Sequence, residues 1–258
     1  MPYYKAVRLD HTSHYDGRTR WHEGGIVTPL KLPDPEVVGL CGSGIHCSPT
    51  ILDVVSYQYG PSDYCEVQPL GIIAEDSTKA RCSAVQVLRW IPAEEQDLIS
   101  GFKLYETNHP VNPLWIERDT TLQLDVLLRQ WASVGDGVNI NVWFSVRDSV
   151  KDSTWARALA NVGDVVWSSV GDSIWSRVGD SVAGMWASME CSMRDCVWAY
   201  IGGLFPAITE WKHVESFGSE PWGSLLNLWY GGYVPSYDGK VWRLHAGPKA
   251  EVVYELKG

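Results

Sequence analysis

Trp131-Ala-Ser-Val134, Gly-Asp-Gly-Val138, Asn-Ile-Asn-Val142, Trp-Phe-Ser-Val146 and Arg-Asp-Ser-Val150 open a stretch in which an aliphatic residue returns at nearly every fourth place. The tetrads continue as KDST, WARA, LANV, GDVV, WSSV, GDSI, WSRV and GDSV to Val182, are interrupted by Ala183-Gly184-Met185, and resume as WASM, ECSM, RDCV, WAYI and GGLF to Phe205. Such self-similarity marks an internal repeat. In an α-helix residues four apart share a face, and a Trp one place after each aliphatic joins the same stripe while Asp and Ser face water. A strict period of four drifts about 40° per repeat, so one long straight helix cannot keep the stripe on one side. The three-residue skip partly resets the drift, which suits several packed helices. Composition pulls towards a β-solenoid: Val, Trp, Ser, Asp and Gly are indifferent helix formers, and Gly-Asp and Asn steps suit turns between short strands. In a solenoid, however, alternation turns the Asp two places before each Val inward unless it sits at a corner. The helical form is preferred, with the solenoid as its alternative.

Working outward, no proline lies between Pro113 and Pro206 although the chain has 14. The reading is therefore α+β in three parts: an N-terminal αβ module over 1–112, the tetrapeptide-repeat region over 113–206 and a small C-terminal αβ cap over 207–258. In the first part, Tyr4 to Leu9, Gly25 to Leu32, Tyr64 to Ile73 and Cys82 to Ile91 read as strands. A helix from Pro49 to Tyr57 capped by Ser48 and another from Pro92 to Ile99 lie among them. In the cap, Pro221 to Tyr230 reads as a helix and Tyr237-Asp238-Gly239-Lys240 as a hairpin turn, with strands at Val241 to His245 and Val252 to Leu256.

At 258 residues and 45% hydrophobic content the chain is long enough to bury a core. Its net charge of -10 and pI near 5.1 oppose phosphate neutralisation, and Lys and Arg are scattered, so no nucleic-acid partner is expected. No apolar run reaches the ~18 residues of a membrane span, and the first residues show no secretory pattern, so a soluble, cytoplasmic protein without a membrane partner is expected. Six cysteines, at 41, 47, 65, 82, 191 and 196, read as free thiols rather than a disulfide scaffold.

No P-loop, HExxH, GxSxG or paired CxxC motif occurs. The densest group of reactive residues is Cys41-Gly42-Ser43-Gly44-Ile45-His46-Cys47. Cys41, His46 and Cys47, with Cys65 or Cys82, have the chemistry of soft metal ligands, but adjacent residues point apart, and a glycine turn with buried thiols is the preferred reading, with no metal. Asp10, His11, His14 and Asp16 form a second group, readable as base and orienter or as an ordinary polar loop. The tryptophans at 131, 143, 155 and 167 recur every 12 residues, as either an aromatic ladder or packing between repeats.

The run GSGIHCSPTILDVVSYQYGPSDYCEVQPLG, residues 42–71, resembles the stretch of ADP-ribosyltransferases in which Gly-x-Gly-Ile-Tyr-Phe leads through a helix to a strand ending in Leu-Gly. The resemblance implies an NAD cleft beside the first strand, with Gly44 and His46 (at the tyrosine position) and His11 (for the upstream His) as cofactor-binding residues. The family's downstream Glu has no counterpart. More broadly, the chain resembles uncharacterised phage and metagenomic proteins that share the Cys-Gly-x-Gly-x-His module, the Ser-Val and Asp-Ser-Val repeats and an ending like VPSYDGKVWRLH. The expected function is a non-enzymatic repeat scaffold, without cofactor, that binds another protein or itself. The alternative is an ADP-ribosyltransferase-like nucleotide-binding module, active or inactive, that takes NAD.

Overall fold

A computed structural model of the chain describes all residues except 1, 32, 34–36, 38, 41, 59, 138–141, 182–185, 215–219 and 258; the side chains of 135–137, 186–188, 190 and 257 are also outside the description. Cys41, Val138 and Val182 therefore lie outside it. The chain is mixed α and β with two antiparallel sheets, and it divides into two compact units, Met1–His109 and Pro110–Gly258.

The first unit is built on β1 (Tyr3–Arg8), β2 (Ile26–Val27), β3 (Ile45–Cys47), β4 (Ser62–Glu75) and β5 (Ala80–Trp90). The sheet runs β1-β4-β5-β2, and β3 also pairs with β5. Immediately after β3, Ser48 exchanges two backbone hydrogen bonds with Tyr4 of β1, at 2.7 and 3.0 Å. Pairing thus runs from β1 through β4, β5 and β3 back to β1, a small closed ring of strands. Alternation fills its inside: Val7, Ile45, Cys47, Cys65, Val67, Ala80, Cys82, Val85 and Val87, joined by Trp21 and Val27, form one buried cluster. The expected strand at Gly25 to Leu32 contracts to Ile26–Val27 because Pro29 has no N–H to continue a ladder.

Among the described residues three helices complete this unit: α1 (Ile51–Ser56), α2 (Ala93–Ser100) and α3 (Leu104–Asn108). The cap of α1 is Thr50 and not Ser48: the Thr50 hydroxyl accepts from the Asp53 amide at 3.2 Å and donates to the Asp53 carboxylate at 2.6 Å. Ser48 is engaged in closing the ring. α2 starts after Pro92 and stops at Gly101, whose φ of 73° lies in the left-handed region. Arg89 of β5 forks between Glu66 of β4 and Glu95 of α2, tying helix to sheet.

The second unit contains α4 (Leu124–Gly137), α5 (Val142–Lys151), α6 (Leu159–Val166), α7 (Asp172–Ser181), α8 (Trp186–Gly203) and α9 (Gly223–Tyr230), then β6 (Tyr233–Tyr237), β7 (Val241–Ala246) and β8 (Glu251–Lys257). The tetrad residues fall on α4 to α8. Every described fourth position from Val134 to Phe205 is buried except Thr154, which lies in the turn between α5 and α6. Between α6 and α7, Trp167–Gly171 forms a single π-helical turn. Such a turn takes more residues than the α-helical 3.6, so it rewinds the drift that a period of four accumulates and returns Val170 and Ile174 to the buried side. The turn needs a glycine: a Cβ at Gly171 would meet the Trp167 indole at 2.9 Å.

The C-terminal strands share this core. The sheet order is β6-β7-β8, antiparallel throughout. The Cys196 thiol of α8 meets the Pro235 carbonyl of β6 at 3.5 Å, and the Tyr237 amide donates to the Ser192 hydroxyl at 3.0 Å. Tyr200 of α8 stacks on Trp229 of α9 with ring centroids 4.8 Å apart. At the hairpin, Asp238 accepts from the amides of Lys240 and Val241, and Gly239 has φ +90°. The regularly spaced tryptophans pack with different partners, Trp143 against Phe144 and Trp198 and Trp155 against Phe205.

Candidate functional site

The strand ring is not filled evenly. A cavity of about 730 Å³ opens beside β1 and β3 in the first unit, within the size range of small-molecule sites. Strand β1 supplies Tyr4 and Lys5, the loop after it supplies His14, Asp16 and Trp21, and β3 with its preceding glycine turn supplies Gly44, His46 and Cys47. Tyr57, just past α1, and Lys79, just before β5, close the far side.

Charge distinguishes this cavity from the rest of an acidic chain. Among the described residues it is lined by Lys5, Lys31 and Lys79 against one carboxylate, Asp16. That carboxylate is already engaged. Burial raises its pKa, but hydrogen bonds from the Thr19 side chain and from the amides of Thr19 and Arg18 hold it below the ordinary value.

Lys5 owes its place to register. It stands directly opposite Cys65 on β4, whose side chain belongs to the buried cluster, so Lys5 shares the inward face of the ring. Its ammonium lies 5.8 Å from the centre of the Trp21 ring, and no carboxylate pairs with it among the described residues. Burial pushes its pKa below the ordinary lysine value, with Lys79 adding to the shift while Cys47 and Cys65 oppose it. The Lys79 ammonium lies 5.1 Å from the Tyr57 ring centre.

His46 and His14 both line the cavity. The Nε2 of His46 donates to the Leu40 carbonyl at 2.8 Å, which leaves Nδ1 as the acceptor in the neutral ring. His14 bonds through Nε2 to the Ser62 hydroxyl at 2.8 Å, and Ser62 donates in turn to the Gly60 carbonyl. Burial is the leading cause that lowers both histidine pKa values; nearby cations add to it, Lys5 and Arg8 at His14, and Lys79, Lys5 and Arg81 at His46. The charged form of both rings is thus disfavoured, and the lysines are the standing cations among the described lining residues.

Gly44, with φ +148°, has a backbone conformation that side chains rarely adopt, and a Cβ there would meet Arg81 at 2.9 Å. The Gly42-Ser43-Gly44 turn thus lies close over the fully buried Arg81, whose Nη2 donates to the Val37 carbonyl.

Of the three residues singled out from sequence, Gly44 and His46 line the cleft and His11 does not. His11 stacks on Trp90 at 3.9 Å between centroids and sets Nε2 3.3 Å from the Asp63 carboxylate. It also has φ +58° in the turn where Asp10 accepts from Thr12. The histidine of that loop that reaches the cleft is His14. Lys5, Tyr57 and Lys79 were missed; the available signal for Lys5 was a cation at an inward parity in a strand of otherwise apolar inward residues. Among the described residues no three His, Cys, Asp or Glu side chains converge as a metal-ligand group, and no described helix is long and apolar enough to cross a membrane.

No curated protein and no solved structure matches the chain. Residues 1–99 match a family described as a domain of unknown function, DUF7666, a span that takes in every residue lining the cleft.

Proposed function

We propose that this chain is a non-enzymatic binding protein whose first unit holds an anionic small molecule of the nucleotide class in the cleft, and whose second unit is a helical scaffold. The observation that carries this reading is the cation surplus around a cavity of ligand size in a chain of net charge -10. Lysines that pair with no carboxylate among the described residues suit phosphates, and the exposed Tyr57 offers a ring face for a base. The reading keeps the nucleotide-binding part of the ADP-ribosyltransferase resemblance and not transfer: His11 stands apart from Gly44 and His46, and the one carboxylate among the described lining residues, Asp16, is held by Thr19 and the Arg18 amide.

Calorimetry of the full chain with NAD, ATP and inorganic phosphate tests this. Micromolar binding of a nucleotide is expected, weakened at least tenfold by Lys5→Gln and weakened further by added salt as exposed charge is screened. Absence of heat with all three at millimolar concentration rejects the cleft reading.

For the second unit the favouring observation is the burial of the fourth-position aliphatics, which makes the repeat one packed body with residues such as Asp164, Asp172, Ser176 and Asp180 outside. A protein partner or self-association is the proposed use of that outer surface. Light scattering over a concentration range tests self-association: a mass that stays at one chain throughout removes it.

A further inference from the structure

The inside of the strand ring carries more chemistry than a core needs. Cys47 of β3 and Cys82 of β5 both face inward, and their Sγ atoms lie 3.9 Å apart. Ile45 stands opposite Cys82 and Cys47 opposite Ala80, so the two cysteines are diagonal neighbours on one face. Cys47 also lines the cleft, which gives small solutes a route to the pair, while Cys82 is fully buried behind it. Lys5 faces the same interior from β1.

We propose that Cys47 and Cys82 are a thiol pair that a peroxide converts to a reversible disulfide, fixing β3, the His46-bearing wall of the cleft, to β5. One thiolate attacks a peroxide oxygen, the O–O bond breaks, and the sulfur becomes a sulfenic acid as water leaves. The second thiol then attacks that sulfur, the S–O bond breaks and a second water leaves. Two thiols and one hydrogen peroxide thus give one disulfide and two waters. Either sulfur can donate its S–H to the other across this contact, and the Lys5 charge favours the thiolate form at Cys47.

Bond formation needs the sulfurs to approach by about 2 Å, to the ~2.05 Å of a disulfide. Side-chain rotation and a slide of the three-residue β3 supply it. A diagonal position is not the relaxed one for a disulfide, so the bond is readily reduced. The inference stands apart from the identity of any ligand.

The test treats reduced, full-length protein with hydrogen peroxide, then alkylates under denaturing conditions and maps peptides by mass spectrometry. A Cys47–Cys82 linked peptide is expected, lost on treatment with dithiothreitol and absent in Cys47→Ser. Exposed Cys191 serves as the internal reporter that oxidant was sufficient. Oxidised Cys191 with Cys47 and Cys82 both still alkylatable overturns the proposal, as does linkage of either to another cysteine. If Cys47→Ser does not fold, hydrogen exchange on the wild type decides: oxidation should slow amide exchange over residues 45–48 at least tenfold, and an unchanged rate rejects the latch.

Discussion

The two units use their apolar residues differently. In the second, the aliphatic of each described tetrad is buried save Thr154, and the C-terminal strands pack on the same helices. In the first, the inward face of the ring mixes Val7, Val67 and Val85 with Cys47, Cys65, Cys82 and Lys5, and a cavity remains beside them. Regularity thus marks the body that fills its own core. The site lies in the unit whose pattern is broken, where polar groups enter an interior that apolar residues would have closed.

The largest effect that separates the two should come from the regular unit. Val146 is fully buried on α5, and its Cγ2 would lie 3.1 Å from a Cβ at Gly202 on α8. Val146→Asp puts an unpaired charge there and should cost roughly 4 kcal/mol or more, read as loss of the helical circular dichroism signal. Ser176→Asp, on an exposed position of the same repeat, should change stability by less than about 0.5 kcal/mol. Equal effects would break the contrast between fourth and second positions.

Next in size is the hairpin pair. Arg243 donates to Asp238 at 2.5 Å, with side chains 12% and 6% exposed, and also to Glu255 at 2.9 Å. Arg243→Met leaves Asp238 buried and unpaired, at a cost of roughly 3 kcal/mol in denaturant melts near pH 7. The Arg243 guanidinium is the main cause that lowers the Asp238 pKa to about 2. A folded pKa below the unfolded value means the contribution is present above the ordinary aspartate range and is lost as pH falls through about 2. The wild-type advantage over Arg243→Met should therefore shrink between pH 4 and pH 2.

Asp195 on α8 has the opposite sign. Burial raises its pKa to about 6, with Arg194 and a bond from the Val142 amide opposing, and its Oδ1 has no hydrogen-bond partner among the described residues. A folded pKa above the unfolded value means stability is full below the ordinary aspartate range and declines as pH rises through about 6. After allowance for partial exposure, Asp195→Asn should gain about 1–2 kcal/mol at pH 7. Near pH 4 the gain should vanish, and thermal melts at the two pH values check both signs.

The smallest stability effect is expected in the cleft. Lys79→Gln should shift stability by no more than about 0.5 kcal/mol, since the ammonium rests over an exposed tyrosine and makes no ion pair among the described residues. Nucleotide affinity should nonetheless fall several-fold, read by calorimetry. A large loss of stability would make Lys79 part of the framework and remove it from the site.

Much of the architecture was legible because it is local. The stripe of fourth positions, the proline-free interval, the Pro92 helix start and the Asp238-Gly239 turn all depend on neighbours within a few residues. The π-helical turn was not legible, since it answers a drift that matters only once α6 and α7 pack on a common core. The ring closure was hidden for a related reason: the bond between Ser48 and Tyr4 joins residues 44 apart in sequence, and it removed Ser48 from the cap. The cleft was legible only in half. Gly44 and His46 stood out by type and spacing, whereas Lys5, His14 and Lys79 become neighbours only through register across β1, β4, β5 and β3. The family resemblance points to His11, but His11 and His14 sit in one polar loop, and only the fold decides which faces the cavity.

Hydrogen exchange of the full chain with and without saturating nucleotide addresses the central contrast most directly, because it reads both units in one sample. The account predicts slowed exchange over residues 4–6, 13–21 and 43–48, with 124–203 unchanged. Protection confined to the repeat helices, with the cleft segments unaffected, would contradict it.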